Sequence, residues 1–176
     1  MGKIKKGDKK MNLSKTEYNK ATFFYEEIMN AFKMDFSLYA DLVDILEPKS
    51  VLEFGCGMGR LFSIFAKTAN FITGVDLSDE MLATGRKDFA KYGFKNTVAE
   101  FCKADMRSFK GSRKYDLVVM ALSVLKHLPT DEDRFEALKN RSYKTNLLSL
   151  RFVTTTINCI LTIQLKSPIF IAIRKM

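Results

Sequence analysis

The segment Val51-Leu52-Glu53-Phe54-Gly55-Cys56-Gly57-Met58-Gly59-Arg60 constrains the fold more than any other. A short apolar run enters a turn with a glycine at every second position, and helical spacing follows from Leu61 to Thr68. Glycine tolerates positive φ and lets backbone approach a ligand where a side chain would block it. A strand, a glycine turn and a helix in that order place a ligand site at the strand's C-terminal end.

The rest of the middle of the chain repeats the alternation. Apolar runs at 70–75, 97–104 and 115–122 read as strands. Ser78 is a helix N-cap candidate, Gly93 closes that helix, and residues 131–140 read as another. The continuous run Leu117-Val118-Val119-Met120 suits a strand buried on both faces. This predicts an α/β fold with a parallel, doubly wound sheet. Upstream, Phe23, Phe24, Ile28 and Phe32, then Phe36, Tyr39, Leu42, Val43 and Leu46, keep helical spacing until Pro48. Two helices are expected there.

Three acids stand at predicted strand ends: Glu53, Asp76 and Asp105. Asp76 lies 19 residues after Gly57, where a carboxylate can accept from both hydroxyls of a ribose. A dinucleotide fingerprint would carry its third glycine where Arg60 stands. It would also cradle a pyrophosphate, beside which Glu53 is badly placed. Three carboxylates suit a ligand with cationic groups, such as the ammonium and sulfonium of S-adenosylmethionine.

In register, these segments resemble the motifs of class I S-adenosylmethionine-dependent methyltransferases. Residues 51–60 look like the glycine motif, and Gly74-Val75-Asp76-Leu77-Ser78-Asp79-Glu80-Met81-Leu82 like the ribose-binding strand end. Lys103-Ala104-Asp105-Met106-Arg107 resembles the adenine-binding segment, and Tyr115-Asp116-Leu117-Val118-Val119 the fourth strand. Phe24-Tyr25-Glu26-Glu27-Ile28 and Asp35-Phe36-Ser37-Leu38-Tyr39 resemble the cap helices of the small-molecule subgroup. The resemblance spans roughly residues 20–140. It implies a Rossmann-like methyltransferase sheet with N-terminal cap helices.

The resemblance also implies roles. Gly55, Gly57 and Gly59 would form the turn under the methionyl group, with Glu53 holding the turn and the ammonium. Asp76 would take the ribose, Leu77 and Met106 would sandwich the adenine, and Asp105 would accept from its amino group. Tyr25 and Tyr39 would close over the methionyl end. The only histidine, His127, follows strand four near the family's acceptor site. There it is the candidate base for a proton on the acceptor. Its structural alternative is a histidine at the surface or core edge. The acceptor implied is a small molecule, because no Asn-Pro-Pro-Tyr-type motif follows strand four.

The two ends differ from the middle. Net charge is +9, with +5 on residues 1–20 and +7 on residues 139–176, so the intervening body is mildly acidic. Residues 1–14 are expected to form a disordered basic arm, and residues 15–140 the cofactor-binding domain. Residues 141–176 read as an atypical basic tail. No acid follows Glu136 and no glycine follows Gly111, so the tail departs from the family's pattern. It reads as a shifted frame or degenerate sequence, with a divergent tail as the alternative, and residues 151–157 are positioned for a makeshift fifth strand. The sheet's C-terminal strand region is therefore expected to be incomplete or atypical. A non-catalytic remnant that binds only the cofactor stays open beside the enzyme. Nucleic acid stays open as a partner through the basic ends, although solvated lysine tails explain the same charge.

Three cysteines without metal-ligand or redox spacing, one histidine and no secretory signal point to the cytoplasm and to no bound metal. The apolar stretch from Phe152 to Leu165 is too short and polar to span a bilayer, so no membrane partner is expected.

Overall fold

The computed structural model describes residues 33, 35–122, 124–139 and 152–153. Tyr25, the basic arm, the first cap helix and most of the tail lie outside the described residues. The elements in chain order are α1 (Phe36–Leu46), β1 (Ser50–Phe54), α2 (Phe62–Phe65), β2 (Phe71–Asp76), α3 (Asp79–Tyr92) and β3 (Val98–Lys103). They continue with β4 (Leu117–Met120), a 3-10 turn (Val124–His127), α4 (Asp131–Lys139) and β5 (Phe152–Val153).

The sheet runs in the order β3-β2-β1-β4-β5, and every pairing is parallel. β1 lies at its centre, so all five of its residues are buried. The same holds for β4, as its uninterrupted apolar run requires. Alternate residues feed two core clusters. Val51, Leu117 and Val119 join Tyr39, Phe62 and Phe65 on one face. Leu52, Phe54, Val118 and Met120 join Phe109 and Tyr115 on the other. Asp116 fixes the start of the β1–β4 pair, because its Oδ2 accepts from the backbone N–H groups of Lys49 and Ser50, each at 2.9 Å.

Local signals in the sequence are largely realised. Ser78 Oγ accepts from the Met81 N–H at 3.2 Å, and Gly93 ends α3 with φ of 67°. The helical run before Pro48 stops at Leu46, where Glu47 takes up φ of 41°. The helix after the glycine turn is shorter than its spacing suggests. α2 is a single turn, and residues 66–68 continue only as turns. Within the expected fifth strand, Phe152 and Val153 pair with Val118 and Val119. Among the described residues no helix is long and apolar enough to cross a membrane.

α3 presses closely on the glycine turn. A Cβ on Gly85 would lie 2.6 Å from the Met58 carbonyl oxygen and 2.5 Å from the Phe101 ring. Helix propensity alone favours Gly85→Ala by about 1 kcal/mol. The contact predicts the opposite sign, a loss of about 1–3 kcal/mol from overpacking. Urea unfolding of the full chain distinguishes the two.

Candidate functional site at the C-terminal edge of the sheet

After Phe54 the chain reverses through Gly55, Gly57 and Gly59, at φ of 64°, 54° and 75°. Other residues adopt these angles only at a cost of roughly 1–2 kcal/mol each. The turn hangs from β2. The N–H groups of Gly55 and Cys56 both donate to the Val75 carbonyl, at 2.7 and 3.2 Å. The next donor, Gly57 N–H, reaches Asp76 Oδ2 at 2.9 Å. The other oxygen of Asp76 accepts from Ser78 N–H, also at 2.9 Å. One carboxylate thus ties the turn after β1 to the start of α3. Leu77 beside it is 66% exposed, a large apolar side chain facing solvent.

Glu53 lies beneath the turn. It is 3% exposed, and its Oε2 has no hydrogen-bond partner among the described residues. Burial pushes its carboxyl up to about 8; Arg60 pulls it down, while Asp35 and Asp76 push it further up. Arg60 pairs with Asp35 through two parallel bonds of 2.7 and 2.8 Å, and its guanidinium stacks 5.0 Å from the Phe36 ring centroid. Asp35 is the residue before α1, yet its side chain makes no cap and goes to Arg60. This link anchors α1 to the glycine turn.

Asp105 lies two residues beyond the end of β3. Arg107 donates to both of its oxygens and also reaches Asp133 on α4 at 2.5 Å. These bonds hold Asp105 and Asp133 below the usual carboxylate range. Met106 packs at the edge of the second core cluster.

The segment after β4 closes the site from the other side. Leu122 takes up φ of 53°, a strained angle for leucine. Val124 then lies so near Gly55 that a Cβ there would be 2.4 Å from its Cγ2. His127 ends the 3-10 turn and is exposed.

The fold therefore brings Glu53, the three glycines, Asp76 and Leu77 to one edge, with Asp105 and Met106 just beyond the end of β3 and His127 at the end of the 3-10 turn after β4. Tyr39 is placed differently from expectation. It is fully buried on α1, edge-on to Phe65 with centroids 6.4 Å apart, as a core side chain. Cys56 is buried over Gly74, and burial raises its thiol well above the usual range, in keeping with a packing role. A separate groove between α3 and β3, with Phe89, Phe94 and Phe101 among its walls, contains none of the expected site residues.

Sequence reasoning missed the Asp35–Arg60 link, the Arg107 bridge and the contact of Val124 with the turn. Arg107 stood beside a noted acid, but Asp35 and Arg60 lie 25 residues apart with no shared motif.

A glycine turn between a central parallel strand and a helix, with acids at successive strand ends, defines an open α/β fold built to hold a nucleoside-like ligand. The chain belongs to the methyltransferase domain family, whose model matches residues 51–143. It is 33% identical over 96 residues to the dTDP-3-amino-3,4,6-trideoxy-alpha-D-glucopyranose N,N-dimethyltransferase of Streptomyces venezuelae, covering 53% of this chain and 38% of that protein. It is 32% identical over 101 residues to the ubiquinone biosynthesis O-methyltransferase of Vibrio vulnificus strain YJ016, covering 57% and 41%. The chain thus spans less than half the length of each of these relatives. Its fold is similar to that of the S-adenosylmethionine-bound amino pentose methyltransferase from Micromonospora echinaspora. That structure has a TM-score of 0.62 at 20% identity, with 75% of this chain and 55% of that one covered.

The state of Glu53 sets a pH dependence. A carboxyl raised in the fold contributes stability that is complete below its unfolded value near 4.5 and is lost as pH rises through about 8. The unfolding free energy is expected to fall by a few kcal/mol across that window. Glu53→Gln should flatten this slope in urea titrations at stepped pH.

Proposed function

We propose that this chain binds S-adenosylmethionine at the glycine turn and forms the cofactor-binding part of a methyltransferase acting on a small-molecule acceptor. The observation that carries the reading is the Asp76 carboxylate, fixed by Gly57 and Ser78 N–H beside the exposed Leu77. Each of its oxygens accepts one backbone bond and keeps a lone pair for a ribose hydroxyl. The unpartnered Oε2 of Glu53 under the turn fits a cationic amino group. Of the three glycines, Gly57 has the open Cβ direction, with Met81 Sδ nearest at 3.5 Å, while Gly55 and Gly59 admit Val124 and the Phe101 ring against the backbone.

In this reading Leu77 and Met106 flank the adenine. Asp105, oriented by Arg107, accepts from its amino group. The bound cofactor supplies a methyl group on a sulfonium, already activated for in-line displacement. The protein's task is to hold the acceptor in line and exclude competing geometries. His127, exposed beyond Val124, is the candidate to take a proton from an acceptor hydroxyl or amine. The small-molecule class is supported by the named relatives, one an N,N-dimethyltransferase of a dTDP-linked amino sugar and the other a ubiquinone biosynthesis O-methyltransferase.

Calorimetric titration of the full chain with S-adenosylhomocysteine tests the reading. Binding is expected, and Asp76→Ala should weaken it by about 30-fold or more through loss of charge-assisted bonds. A folded chain that does not bind, or a variant that binds equally well, would overturn it.

A further inference from the structure

We propose that Glu53 is a neutral acid in the ligand-free protein and loses its proton when the ligand's ammonium docks at the glycine turn, so that binding releases one proton. The inference rests on the reading above and adds a regulatory property to the same site. It stands on how Glu53 is surrounded. The side chain belongs to the central strand and is 3% exposed. Its cross-strand neighbours are Gly74 on β2 and Val119 on β4, which offer neither charge nor a side-chain donor. Oε2 has no partner among the described residues.

Among the described residues, the charged groups around it offset a carboxylate there only in part. Arg60 follows the turn, but it is engaged with Asp35 through both terminal nitrogens. Asp35 before α1 and Asp76 at the end of β2 act against ionisation. A further titratable neighbour among the described residues is the buried Cys56 thiol, which a Glu53 charge would push further up. One base shared with two acids offsets a Glu53 charge only in part, and desolvation then favours the neutral form of the buried carboxyl. Burial accordingly places Glu53 at about 8.

A cationic amino group at the turn would reverse the balance. It supplies a second positive charge beside Arg60, closes the site to water and gives Oε2 a donor. The O–H bond of the carboxyl breaks, the proton leaves to solvent, and the carboxylate pairs with the ammonium. Linkage then makes affinity rise with pH, by up to about tenfold per pH unit between the bound and free values.

The test uses the full chain with S-adenosylhomocysteine near neutral pH, in phosphate and in Tris, whose ionisation enthalpies differ. The binding enthalpy should depend on buffer with a slope approaching one proton released, and the Kd should tighten from about pH 6 to about pH 7 by up to tenfold. Glu53→Gln should abolish the buffer dependence. Should that variant fail to fold, difference infrared spectra of the wild-type chain serve instead, and a protonated-carboxyl band should disappear on binding. Tight binding with buffer-independent enthalpy and pH-independent Kd would overturn this inference while leaving the proposed function intact. Absence of binding at every pH would overturn both.

Discussion

The Asp76 carboxylate is the interaction on which the rest of the site depends. It receives Gly57 N–H from one loop and Ser78 N–H from the next, each at 2.9 Å. Buried or half-buried backbone donors need partners. A tight glycine turn points successive N–H groups toward β2, where Val75 and Asp76 receive them. The conformation of the turn, the start of α3 and the position of the acid are therefore one solution to one hydrogen-bonding problem. The close seating of Gly85 against Met58 follows, since α3 begins three residues after Asp76.

The same geometry concentrates negative charge. Glu53, Asp76 and the Asp35 of the Asp35–Arg60 pair surround the turn, and among the described residues one guanidinium offsets them. A purely structural turn gains nothing from a buried acid with an orphan oxygen, because an unmet polar atom costs about 1–3 kcal/mol. That cost is understandable where a ligand later meets it. Strain at Leu122, next to the residues that cover Gly55, belongs to the same pattern of local cost at a site.

Much of this was legible in the sequence because it is local. The apolar runs at 51–54 and 117–120 announced central strands, and the glycine spacing announced the turn. Ser78 and Gly93 marked the two ends of α3. What escaped was long-range or a matter of burial. Nothing near Asp35 says that it will bond Arg60 instead of capping its own helix. Tyr39 shares its spacing with Leu42 and Val43, and an aromatic ring at such a position serves the core as readily as a pocket. The structure puts it in the core. Arg107 was read only as part of a motif, although its two acids, Asp105 and Asp133, lie on elements that meet only in the fold.

The central claim is that the turn hung from Asp76, and no other surface, is where the ligand binds. Hydrogen exchange of the full chain with and without S-adenosylhomocysteine tests it most directly. The account predicts slowed exchange of the amides from Gly55 to Gly59 and of Ser78, which the ligand would cover or tighten. Unchanged exchange there, with protection confined to the groove walled by Phe89, Phe94 and Phe101, would contradict it.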